Sequence, residues 1–103
     1  MIARTITLPD ANTNYALSTL IAAVSAVLSF FLFEMEIIAD AANTQPVLIG
    51  DETLSAGEYL KSLAAGASHK EEATGPGDLI YASKWYLRSS AAGQKVKLKA
   101  RFR

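Results

Sequence analysis

The ionisable residues of this chain offer little for catalysis. The single histidine, His69, stands beside Lys70, Glu71 and Glu72, and no further metal ligands are spaced to join it. We therefore interpret it as a histidine in an exposed surface loop. The 103 residues contain no cysteine, which excludes disulfides, thiolate catalysis and cysteine-bound metals.

Two carboxylates, Glu34 and Glu36, lie two positions apart in an alternating segment. On a strand, residues at this spacing point to the same face. Such a pair can do acid–base chemistry, bind a cation, or meet basic residues on a neighbouring strand or subunit. Because no nucleophile accompanies them, we favour the ion-paired or solvated face and expect no enzymatic activity and no cofactor or metal.

Basic residues concentrate at the end of an otherwise neutral chain, where Lys95–Arg103 holds five of the ten Lys and Arg side chains. They alternate with apolar residues as in a strand with one buried face: Lys95, Lys97, Lys99, Arg101 and Arg103. Three interpretations stay open: a solvated face that protects an edge strand from aggregation, a surface that docks on an acidic protein, and a nucleic-acid contact. Nucleic acid is the least favoured, because Phe102 falls on the apolar face and no aromatics interleave the basic one.

Aromatic side chains supply a second kind of candidate site. Most aromatics in a domain of this size belong to the core, but a chain of 103 residues cannot easily bury all of its Phe, Trp and Tyr side chains. We therefore assign Trp85 and Tyr86 to an interface, together with Glu34, Glu36 and the basic strand.

These residues are positioned by a succession of short strands. Alternation predicts strands over residues 2–8, 31–39, 47–49 and 95–103, and over 79–81 and 84–88 as two pieces or one bent strand. The turn between 31–39 and 47–49 suggests an antiparallel hairpin. The sequence predicts one domain, residues 1–103, that is mainly β: a small antiparallel β-sandwich or open barrel of five to six short strands with one N-terminal amphipathic helix.

The uncharged run at residues 15–33 has nearly the length of a membrane-spanning helix. Its period changes, however: apolar residues recur at three and four positions over 16–28, and at two positions from Phe31 onward. We therefore predict a helix followed by a strand and do not expect a membrane partner. A small single-span membrane protein remains an alternative of another class.

The middle of the chain allows two interpretations. Ser55 and Glu58 match a capping box and predict a short helix over 56–64. Gly57 and Gly66 favour an extended loop in which Tyr59 and Leu63 plug into the core.

Several turn and strand motifs resemble those of a known class of proteins. They include Val47-Leu48-Ile49-Gly50-Asp51, Leu63-Ala64-Ala65-Gly66 with Ser68, and Ser89-Ser90 followed by Gly93-Gln94-Lys95-Val96. Together with the order of the elements, they are similar to small virion structural proteins of tailed bacteriophages, the β-sandwich type that decorates or cements the capsid. The resemblance covers most of the chain, although the alanine-rich helix and Lys70-Glu71-Glu72 depart from it.

The resemblance implies a homo-oligomer on the capsid surface of the virion that binds the major capsid protein and has no small-molecule substrate. A cement protein stabilises a shell because it binds the assembled lattice in preference to free subunits. A head–tail connector, neck or tail component is the alternative within the virion, and it would be present in far fewer copies.

Overall fold

The computed structural model describes residues 2–24, 31–73 and 80–102. One α-helix, α1, spans Leu17–Val24, and a single 3-10 turn spans Ala82–Lys84. The strands are β1 Ile2–Leu8, β2 Tyr15–Ala16, β3 Phe31–Ala39, β4 Val47–Gly50, β5 Lys61–Leu63, β6 Ser68–Glu72, β7 Ile80–Tyr81, β8 Tyr86–Ser89 and β9 Gln94–Phe102. The predicted mainly β class is confirmed, and the described part holds more strands than predicted because β2, β5 and β6 were not expected.

The strands form two antiparallel sheets, and neither closes into a barrel. The first sheet has the order β1-β9-β3-β6, and β7 pairs with the beginning of β3 on the same side as β6. The second sheet has the order β2-β8-β4-β5. Strand β9 therefore lies inside the first sheet, between β1 and β3, over almost its whole length.

Both sheets contribute to one hydrophobic core. On β9, Val96, Leu98 and Ala100 are buried while the residues between them face outward, as the alternation predicts. Ile37 of the first sheet and Leu87 of the second are fully buried in the same cluster, and α1 adds Leu17. Burial of one apolar face of each sheet is the main driving force that holds the sheets together.

The predicted hairpin between residues 31–39 and 47–49 is wrong, because β3 and β4 belong to different sheets. The connection carries the chain from one sheet to the other instead of folding it back. Its residues are tied to the beginning of β9: Asn43 bonds the backbone of Lys95, and the amides of Thr44 and Gln45 bond the side chain of Gln94. A local turn pattern in the sequence cannot predict these long-range hydrogen bonds.

The middle segment, residues 55–64, is neither the predicted short helix nor a loop that buries both Tyr59 and Leu63. Ser55 and Glu58 form an isolated β-bridge, and β5 and β6 follow. Leu63 is fully buried as expected, but Tyr59 is 50% exposed and does not enter the core.

The uncharged run at residues 15–33 does not form a single helix. Residues 15–16 and 31–33 lie in strands, and α1 occupies 17–24 between them. The predicted end of the helix at residue 28 lies outside the described residues. In the part of the chain that the structure describes, no helix is long and apolar enough to cross a bilayer.

Candidate protein-binding face

The basic side chains of β9 project from the middle of a sheet. Lys95, Lys97 and Arg101 are exposed and Lys99 is half-buried, all opposite to the core-facing residues. The protection of an edge strand is therefore a wrong explanation of their alternation, because β9 is paired on both sides. We call Lys95, Lys97, Lys99 and Arg101 the basic stripe. Successive members of such a stripe are about 6.6 Å apart along the strand.

One flank of the basic stripe is small and neutral. The cross-strand partners on β1 are Ala3 opposite Lys99, Thr5 opposite Lys97 and Thr7 opposite Lys95. All three are exposed. Because these side chains are short and carry no charge, they neither neutralise the stripe nor stand above it.

The other flank of the stripe is acidic. On β3, Glu36 lies opposite Lys99 and Glu34 lies opposite Arg101. The register therefore brings the two carboxylates next to the basic strand, which is one of the alternatives left open above, although the ion pair that Glu34 forms is with Lys70. Opposite charges in this position stabilise a sheet modestly.

A basic residue that the sequence pattern did not single out forms an ion pair with one of these carboxylates, Glu34. Lys70 of β6 lies opposite Glu36, and its Nζ is 3.8 Å from a Glu34 oxygen and 3.0 Å from a Glu72 oxygen. The hydrogen bond that Lys70 donates to Glu72, together with the negative charges of Glu72 and Glu34, raises the pKa of Lys70. Within the described residues, the members of the basic stripe form no such ion pairs, so the stripe retains its charge.

Trp85 and Tyr86 do not lie on this face. Trp85 is half-buried and packs against the core, and its carbonyl accepts a 2.7 Å hydrogen bond from the Leu17 amide at the start of α1. Tyr86 points outward from the second sheet, because the next residue, Leu87, is buried. The structure therefore separates these two aromatics from the basic stripe. Arg103 lies outside the described residues.

His69 lies on strand β6, and its expected position in an exposed loop is wrong. Its Nε2 is 2.9 Å from a Glu71 oxygen, and its side chain is only 18% exposed. The imidazole also contacts the indole ring of Trp85, with the ring centroids 6.0 Å apart. These contacts place the imidazole against Trp85, on the face of β6 that it shares with the buried Ile37 of β3.

Two polar side chains hold the beginning of the basic stripe in place. Asn43 donates to the Lys95 carbonyl and accepts from the Lys95 amide, both at 2.8 Å. Gln94 is buried, and its Oε1 accepts from the amides of Thr44 and Gln45 at 2.8 and 3.1 Å. Sequence reasoning missed this positioning role, although Gln94 stands in one of the motifs quoted above.

A second surface feature lies beside the second sheet. An open depression of about 240 Å³ is lined by Gly50, Asp51, Leu60, Lys84 and Trp85. Leu60 is 63% exposed at its rim. Asp51 accepts hydrogen bonds from the amide and hydroxyl of Thr53, which lowers the pKa of its carboxyl and holds the turn after β4.

Comparison of the chain with protein-family models, with curated proteins and with solved structures finds no match.

Proposed function

We propose that the chain is a bacteriophage virion structural protein, a capsid decoration or cement protein that binds the lattice of the major capsid protein and copies of itself. In this proposal the two sheets are the layers of a β-sandwich. The observation that carries the proposal is the basic stripe on the outer face of the first sheet. The motif resemblance is the reason why the proposed partner is the capsid shell of a tailed phage.

The location of the stripe suits a docking role. A central strand is held by hydrogen bonds on both sides, so its side chains project from a rigid platform. The neutral flank formed by Ala3, Thr5 and Thr7 lets a partner surface approach the lysines closely. A partner with complementary charge would be acidic, and electrostatic attraction of this kind orients and accelerates association.

Weak individual contacts are sufficient for this function. A decoration protein that bridges several shell subunits gains from multivalency, because the second contact is intramolecular once the first has formed. Binding to the assembled lattice, and not to free subunits, stabilises the shell by mass action.

The copy number of the chain in purified phage particles tests the proposal. Quantitative mass spectrometry with isotope-labelled peptides of the chain, calibrated against the major capsid protein, should find on the order of hundreds of copies per particle. A count of about six or twelve would assign the chain to a connector, neck or tail ring instead. Absence from the particle would overturn the proposal.

A further inference from the structure

The outer edge of β1 carries main-chain groups that β9 does not use. The Asp40 amide donates to the Lys95 carbonyl at 3.0 Å, so the odd-numbered residues of β9 direct their backbone groups towards β3. The even-numbered residues then bond β1, through the register that pairs Ile6 with Val96. By the same alternation, the amides and carbonyls of Ala3, Thr5 and Thr7 point away from the sheet. The Ala3 carbonyl accepts a 3.0 Å hydrogen bond from the guanidinium of the neighbouring Arg4, an exposed contact that a pairing strand would replace.

The other sheet edges in the described part of the chain are shorter or charged. Edge strand β6 carries His69, Lys70, Glu71 and Glu72, and charges of this kind discourage pairing with another chain. Edge strands β2 and β7 contain two residues each, and edge strand β5 contains three. Strand β1 has seven residues and a single charged one, Arg4. Its edge is therefore the one best suited to accept another strand.

We infer that a second copy of this chain pairs with β1 along this edge, antiparallel and about a two-fold axis at Thr5. This inference rests on the self-association included in the proposed function. A two-fold interface requires a patch that complements itself. In this register Thr5 of one copy lies opposite Thr5 of the other, and Ala3 lies opposite Thr7.

The backbone favours this register over its neighbours. Centred on Thr5, the pairing uses the outward groups of all three residues, because Ala3 and Thr7 exchange hydrogen bonds across the axis once the Arg4 guanidinium releases the Ala3 carbonyl. A shift that centres it on Thr7 would place Thr5 opposite Pro9, which has no amide hydrogen to donate. Thr–Thr pairs are also favourable cross-strand neighbours.

The charges on the strand are compatible with the pairing. Arg4 lies opposite Ile6 of the other copy, so the one cation of β1 does not face itself. The two basic stripes would be separated by three strand spacings, about 14 Å. That distance exceeds the screening length of about 8 Å at physiological ionic strength, so their mutual repulsion is weak. The dimer would present both stripes on one continuous sheet face.

The variant Thr5→Lys, with Ser68→Lys as its matched control, tests the inference. Both positions are exposed on the outer face of an edge strand, and both changes add one positive charge. Thr5→Lys places like charges on the two-fold axis, and we expect it to raise the dimer dissociation constant about a hundredfold. Ser68→Lys should leave that constant unchanged. Sedimentation equilibrium over a concentration series measures the mass, starting from the 11.0 kDa monomer.

Amide hydrogen exchange of the unaltered chain provides a measurement that does not depend on any variant. The amides of Ala3, Thr5 and Thr7 should become protected as concentration rises, and those of β6 should not change. A monomer at every concentration, or a dimer in which these three amides stay unprotected, would overturn the inference. Either result would leave binding to the capsid shell, measured by copy number, as a separate question.

Discussion

The two sheets bury similar apolar faces but present different outer surfaces. In the first sheet, β1, β3 and β9 are seven to nine residues long, and β9 exposes a row of cations. In the second sheet the strands that the structure describes have two to four residues, and the outward side chains of Leu48, Tyr86 and Arg88 are only half-exposed.

Under the proposed function, the first sheet would contact the partner and the second sheet would complete the core. A long, regular strand repeats its outward side chains at fixed intervals, which makes an extended charged surface possible. Short strands joined by loops cannot present such a row, but they complete the core. We therefore expect substitutions in the buried faces of the two sheets to act alike, and substitutions on their outer faces to act differently.

The largest effects should come from the shared core. Ile37→Ala in the first sheet and Leu87→Ala in the second each remove a side chain with 0% exposure. Each should lower the free energy of unfolding by about 2–5 kcal/mol, because lost burial and the cavity both contribute. Urea denaturation followed by tryptophan fluorescence and circular dichroism measures this.

If both sheets enclose one core, the unfolding transitions seen by tryptophan fluorescence and by circular dichroism should coincide in each variant. Separate transitions in Leu87→Ala would show that the second sheet unfolds on its own. The comparison of the sheets as halves of one cooperative unit would then be wrong.

A smaller effect should follow from the buried amide that anchors the basic strand. Gln94→Ala leaves the amides of Thr44 and Gln45 without the acceptor that they have in the structure. The expected loss is about 1–3 kcal/mol of unfolding free energy, because two hydrogen bonds are lost and each contributes about 0.5–1.5 kcal/mol. Gln45→Ala is the control, because Gln45 is exposed. Equal denaturation midpoints for the two variants would contradict the anchoring role that we assign to Gln94.

The smallest of these effects concerns the turn before β9. Gly93 has a φ of +78°, and a Cβ there would meet no atom within 4 Å. Gly93→Ala should therefore cost only the backbone penalty, about 1–2 kcal/mol. Gly57, in the loop beside the second sheet, also has open space around it, and its φ is not positive. Gly57→Ala should be neutral or slightly stabilising in thermal unfolding. A Gly93→Ala variant as stable as the unaltered chain would contradict the backbone penalty expected at position 93.

Local periodicity was sufficient to predict several elements. The strands at 2–8 and 31–39 and the alternation of β9 follow from period two, and the face shared by Trp85 and Leu87 follows from the same rule. Alternation also places Glu34 and Glu36 on one face of β3, but that β9 is their neighbour depends on a long-range pairing.

The remaining features depend on contacts between distant segments. The sequence of β6, SHKEE, has no apolar face and therefore predicts a charged loop. In the structure, pairing with β3 makes this segment a strand. The sheet change between β3 and β4 depends on hydrogen bonds from Asn43 to Lys95 and from the Thr44 amide to Gln94, which join residues 52 and 50 positions apart. The central place of β9 depends on β1, at the other end of the chain.

Binding of a charge-reversed variant to capsid shells tests the central claim most directly. Lys97 is flanked by Thr5 and Ile38, so Lys97→Glu changes the stripe without placing two acids side by side. Lys61→Glu is the matched control on the second sheet, since Lys61 is also exposed. We expect Lys97→Glu to weaken binding to shells of the major capsid protein about tenfold, about 1.4 kcal/mol, and Lys61→Glu to leave it unchanged. Equal binding by the two variants, with no dependence on salt, would contradict a docking role for the basic stripe.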